Sequence, residues 1–117
     1  MKDSSRKGTF QESRRSTRVP LKVLIRVEDN ADSVSCEGET VVVNLHGALL
    51  NTAQPLKLNS HIVIQVHLTG KQARAEVVYV DAANPLNCGI ALIEPRNIWG
   101  VSLPPDDWAA SMTDAER

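Results

Sequence analysis

From Val19 onward the chain alternates. Val19, Leu21, Val23, Ile25 and Val27 fall on one side and Pro20, Lys22 and Arg26 on the other, the period of two that gives a strand one apolar and one polar face. Glu28–Ser33 reads as a polar loop, and a second strand runs from about Ser35 to Leu45 through Val41-Val42-Val43. Asn44-Leu45-His46-Gly47 predicts a turn or bulge, because Asn and Gly tolerate positive φ. Ala48-Leu49-Leu50 resumes a short strand, and Pro55 with Asn59-Ser60 breaks it. Between His61 and Leu68, Ile62, Ile64, Val66 and Leu68 share one face, and Thr69-Gly70-Lys71 is a tight turn. Ala73, Ala75, Val77 and Tyr79 then alternate against Arg74, Glu76, Val78 and Val80. A loop containing Pro85 spans Asp81–Asn87, and Cys88–Ile93 is the last strand. Six short β segments with turn residues between them and no helical period predict an all-β antiparallel barrel or sandwich.

After Pro95 the alternation stops. Pro105 followed by Asp106 and Asp107 is a helix-start pattern, so a short C-terminal helix is expected from Pro105 to about Thr113. Trp99 and Trp108 are expected to cap an open end of the β structure rather than to stack on a ligand, since Arg96 is the one basic residue near them.

At 117 residues the chain holds one domain with a single core. The expected organisation is a disordered basic arm over residues 1–13 and a folded domain over residues 14–113. Net charge is near zero, with 13 Lys and Arg against 14 Asp and Glu, but the distribution is uneven. Residues 1–18 carry six basic side chains and two acids, whereas the remainder carries seven against twelve. A protein that coats DNA or RNA spreads its positive charge over a folded face. Confinement to one arm points instead to a small anionic ligand or a local docking site. Few aromatics are present, and no strand pairs them with basic residues as single-strand readers do, so neither DNA nor RNA is the expected partner. No apolar run is long enough to span a bilayer and no secretory leader opens the sequence, so membrane insertion is not expected and a cytoplasmic location is. Cys36 and Cys88 are read as two semi-buried thiols, too few and too far apart for a disulfide framework or a zinc site.

The candidate chemistry sits in Ser13-Arg14-Arg15-Ser16-Thr17-Arg18, directly before the first β pattern. Arginine presents a planar fork of donors that grips phosphate bidentately and stacks on a base. The alternative is a solvated basic tail. No His, Cys, Asp or Glu set has metal-ligand spacing. Ser16 and Thr17 have no partner pattern for nucleophilic attack, and the adjacent Asp106 and Asp107 suit helix capping better than acid–base work, so an enzyme is not expected. His46 reads first as a turn residue packed at the rim, and His61 and His67 as surface residues.

Three pieces in order resemble the PilZ domain family: the Arg14-x-x-x-Arg18 arm running into Val19-Pro20-Leu21, the turn Val42-Val43-Asn44-Leu45-His46-Gly47-Ala48-Leu49, and Cys88-Gly89-Ile90-Ala91-Leu92. The similarity covers roughly Phe10 to Trp108, and Trp99–Trp108 resembles a C-terminal extension of some bacterial members. The resemblance implies a six-stranded antiparallel β-barrel with a short C-terminal helix. It also implies a receptor for cyclic di-GMP that relays the second-messenger signal to an effector protein and needs no cofactor. Arg14 and Arg18 are similar in placement to the family pair that binds phosphate and guanine, and guanine O6 and N7 suit that fork. The implied ligand-binding set is Arg14, Arg15, Arg18, Asn44, His46 and Gly47. The chain departs from the family's second motif, (Asp/Asn)-x-Ser-x-x-Gly. With Gly47 as the glycine, Asn44 takes the Ser position and Val42 the Asp/Asn position; shifting the register to restore Asn44 puts His46 at Ser and Leu49 at Gly. The competing expectation is an adaptor that works by protein contacts without nucleotide.

Overall fold

The computed structural model describes residues 17–108. The expected disorder over residues 1–13, the side chains of Arg14 and Arg15, and any helix beyond Trp108 lie outside that span. The strands are β1 (Val19–Pro20), β2 (Leu24–Asp29), β3 (Val34–Asn44), β4 (Gly47–Thr52), β5 (His61–Val66), β6 (Gln72–Val80) and β7 (Asn87–Leu92). Every pairing is antiparallel. Around the sheet the order is β2, β3, β4, β7, β6, β5 and back to β2, which closes a six-stranded barrel.

The first alternating run is one strand position broken in two. β1 pairs with the end of β3 at Val42 and Val43, and β2 pairs with its beginning, from Val34 to Glu39. Between them the buried Thr40 hydroxyl donates to the Leu21 carbonyl (2.6 Å) and accepts from the Val23 amide (3.0 Å). The side chain thus supplies the ladder bonds that the kinked backbone loses. Leu21 and Val23 still pack on the core, so the inward face runs through the break.

The interior is aliphatic: Ile25, Val27, Val43, Leu45, Ile64, Val66 and Val77 are fully buried, each contributing about 1.5–3 kcal/mol relative to exposure. Two irregularities shift which residues face it. Between Thr40 and Val42 the β3–β4 register slips, and between Val77 and Tyr79 the β6–β7 register does the same. An extra residue in one strand reverses the in–out alternation downstream. In β3, Cys36 and Thr40 face inward before the slip, and Val43 and Leu45 after it. In β6 the expected face is corrected: Val80 packs on the core, while Tyr79 is half-exposed outside. Leu68, expected inside, lies beyond β5 in the turn and is 73% exposed. The loop after β2 is capped by the buried Asp29, whose Oδ1 accepts from the amides of Ala31 and Asp32.

Trp99 and Trp108 are both core residues with no exposed surface. A single helical turn occupies Asp106–Trp108 at the end of the described residues, its Trp108 amide donating to the Pro105 carbonyl. No helix among the described residues is long and apolar enough to cross a membrane.

Cys36 and Cys88 are buried free thiols. Burial, reinforced by the neighbouring Cys36, pushes the Cys88 thiol up from 9.0 to about 11. The folded state therefore holds a proton that the unfolded chain releases first. Stability from this source is intact below pH 9 and declines as pH rises toward about 11, by on the order of 2 kcal/mol. Denaturant titrations at pH 8 and pH 10.5 should show a smaller drop for Cys88→Ala than for wild type. Thr40→Val keeps the shape but leaves the Val23 amide and the Leu21 carbonyl unserved. It should lower the unfolding free energy by about 1–3 kcal/mol with an unchanged urea m-value.

Candidate functional site

The β3–β4 hairpin is the starting point. Asn44 pairs with Gly47, leaving Leu45 and His46 as a two-residue turn. No residue from Asn44 to Gly47 has positive φ, contrary to the expectation from composition, so this is not the primed turn that matches strand twist. Side-chain chemistry holds it instead. Asn44 Oδ1 accepts from the amides of both His46 and Gly47, at 2.8 Å each. Leu45 plugs the core with no exposed surface. The three successive carbonyls of the turn are taken from one direction: Trp99 Nε1 donates to Asn44 O (2.9 Å), the Arg96 amide to Leu45 O (3.1 Å), and the Leu92 amide to His46 O (2.8 Å).

Gly47 is required for a different reason from the one its sequence suggested. A Cβ there would run into the carbonyl oxygen of Ile90 on β7. Glycine is needed for the close approach of two backbones, not for its φ.

Beside this turn lies a cavity of about 290 Å³ on the outer wall of the barrel. The β3 slip places Val42 and Asn44 on its side, and Arg18, His46 and Gly47 complete that part of the lining. Opposite stand Leu49 of β4 and Val78 and Tyr79 of β6, with Gly89 of β7 between them. A Cβ on Gly89 would meet Leu49 Cδ2 and Tyr79 Cβ, each at 3.3 Å, so these two side chains close over the bare backbone. Among the described residues, no carboxylate lies within ion-pairing distance of the Arg18 guanidinium.

Four of the six residues singled out from sequence, Arg18, Asn44, His46 and Gly47, therefore line one cavity; Arg14 and Arg15 fall outside the described span. The sequence reading missed Val78, Tyr79, Leu49 and Gly89. Regular alternation assigns Tyr79 to the interior, and only the slip beside it turns the ring outward. His61 and His67 are exposed, as expected; His67 Nε2 lies 2.8 Å from Glu37 Oε1, remote in the fold from the turn. The lining offers one permanent cation, an amide side chain, an imidazole, a half-exposed phenol and an apolar wall. That set suits a planar, anionic guest better than bond-breaking chemistry.

The PilZ domain family model matches residues 12–97. Among solved structures, the crystal structure of the PilZ domain of CeSA from a cellulose-synthesizing bacterium is similar in fold. It has a TM-score of 0.55 and 15% sequence identity, with 87% of this chain and 100% of that chain covered. No curated protein matches the sequence.

Replacing Gly47 by Ala should cost about 1–3 kcal/mol or more, because backbone cannot move aside. Gly89→Ala, opposed only by side chains, should cost clearly less in the same denaturant series.

Proposed function

The chain belongs to the PilZ family, a family of cyclic di-GMP receptor domains that bind and relay rather than catalyse, and on that premise we propose that it binds cyclic di-GMP at the outer-wall cavity and passes the signal to an effector protein. The observation that supports this most directly is the convergence of Arg18 with the Asn44–Gly47 turn, distant in sequence, on one cavity. Arg18 contributes a guanidinium with no carboxylate partner among the described residues, suited to a phosphate or to the O6/N7 edge of guanine. Arg14 and Arg15, just upstream, supply further forks. A ligand seated against Arg18 and the turn alters the surface there, and that altered surface is what the effector reads.

Tyr79 and Leu49 add to the implied ligand-binding set, which included neither. Half-exposed and drawn together over Gly89, they give a base an apolar surface to lie against.

A second reading has its own support. Val42 stands at the Asp/Asn position of the second motif and lines the cavity without a polar group, while Asn44 Oδ1 is engaged by two amides of its own turn. A site so built would serve an adaptor that acts through protein contacts alone.

Calorimetric titration with cyclic di-GMP, using GTP as the control, separates the two. Saturable binding to wild type, weakened roughly ten- to a hundred-fold by Arg18→Ala, is expected if one charge-assisted contact of about 1.5–3 kcal/mol is removed. Equal affinity in both proteins would remove Arg18 from the site. No heat at high protein concentration, with an effector still retained, would decide for the adaptor.

A further inference from the structure

The C-terminal segment touches two separate pieces of chain that line the cavity, the β3–β4 turn and the stretch leading into Arg18. Trp99 donates its indole N–H to the Asn44 carbonyl on the turn side. Nine residues later, Trp108 donates its indole N–H to the Thr17 carbonyl (2.7 Å), immediately before Arg18. Asp107 completes the second contact: its Oδ2 accepts both the Thr17 amide (2.9 Å) and the Thr17 hydroxyl (3.0 Å). Thr17 thus has its amide, hydroxyl and carbonyl all engaged by two consecutive residues lying 90 or 91 positions away in sequence.

Thr17 is itself exposed and belongs to no strand, since β1 starts at Val19. A two-residue strand is a weak tether for the arm. Trp108 is different in kind, being wholly buried in the core. A rigid indole anchored there gives Thr17 a fixed reference point, and a carboxylate accepting two donors fixes its rotation as well.

We infer that Asp107 and Trp108 are positioning residues for the ligand site: they latch Thr17 so that the Arg18 guanidinium is presented to the cavity before any ligand arrives. This rests on the cyclic di-GMP reading for its ligand, but the latch itself has a ligand-free signature. A pre-ordered arginine spares the ligand the entropy of ordering that piece of chain. The same contacts link the arm to the C-terminal segment, so a ligand that pulls on Arg18 also loads the Trp108 hydrogen bond. The asymmetry between the two tryptophans follows. Trp99 serves a turn already closed by Asn44, whereas Trp108 and Asp107 serve Thr17, which belongs to no strand.

The test uses the full chain carrying Asp107→Ala, Asp107→Asn, Arg18→Ala and the Asp107→Ala/Arg18→Ala pair. Without ligand, amide hydrogen exchange should show Thr17 protected in wild type and exposed in Asp107→Ala, with the β3, β5 and β6 amides unchanged. With cyclic di-GMP, Asp107→Ala should bind about tenfold more weakly, the scale of ordering one residue of backbone. Asp107→Asn, which keeps an acceptor oxygen, should recover part of the loss. In the double variant, Arg18→Ala should matter less than it does alone, because an unlatched arginine contributes less. Additive losses, or unchanged Thr17 exchange in Asp107→Ala, would overturn the latch. If wild type itself fails to bind the nucleotide, the receptor reading falls, and the exchange result alone then decides whether Asp107 orders the arm.

Discussion

Three backbone carbonyls in a row, those of Asn44, Leu45 and His46, each receive a hydrogen bond from the stretch between Leu92 and Trp99. The site depends on that docking. A two-residue hairpin without positive φ would normally splay its strands. Here the turn is held from within by Asn44 Oδ1 and from outside by this triple contact, and Leu45 is driven into the core beneath it. Because the donors include a fully buried indole, the turn has no cheap route to move. This side of the cavity is therefore ordered by the folding of the barrel itself.

Closure makes the site possible in a second way. Joining β3 to β4 and β2 to β5 closes the six main strands on themselves and leaves the two-residue β1, paired with β3, at the flank. Strands that curve around so small a core must absorb bends, and they do so at two register slips. Each slip leaves the interior apolar while exchanging which residues face outward. The one in β3 sends Val42 and Asn44 to the outer wall; the one in β6 sends Tyr79 there. Both slips thus supply residues to the same cavity.

This explains what could be read from the sequence and what could not. The period-two runs located the core strands because inward positions such as Ile62, Ile64 and Val66 are buried whatever the sheet does elsewhere. The arginine arm and the turn were legible because their chemistry is local: guanidinium groups beside a strand, and an Asn–Gly pair at a chain reversal. Tyr79 was not, since one inserted residue reverses its direction without leaving a compositional mark. The reason for Gly47 was hidden as well. Glycine suggests positive φ, but here it answers the Ile90 carbonyl of a strand more than forty residues away. Thr40 and Asp29, buried polar residues in otherwise apolar rows, replace backbone bonds at a kink and a turn, a role that only tertiary structure defines.

The charge distribution acquires a physical meaning once the cavity is placed. Arg18 is the one lysine or arginine in its lining. The chain beyond residue 18 has an excess of acids, so the body of the protein is a poor attractor of anions. Of the basic stretch before β1, Arg18 is the described residue that lines the cavity. On the proposed reading, the barrel wall would supply shape and an apolar surface, and Arg18 the charge. The segment from Leu92 to Trp108 contacts both, through the turn carbonyls at one end and Thr17 at the other. A change in that segment therefore reaches charge and shape together, which neither the arm nor the wall can do alone.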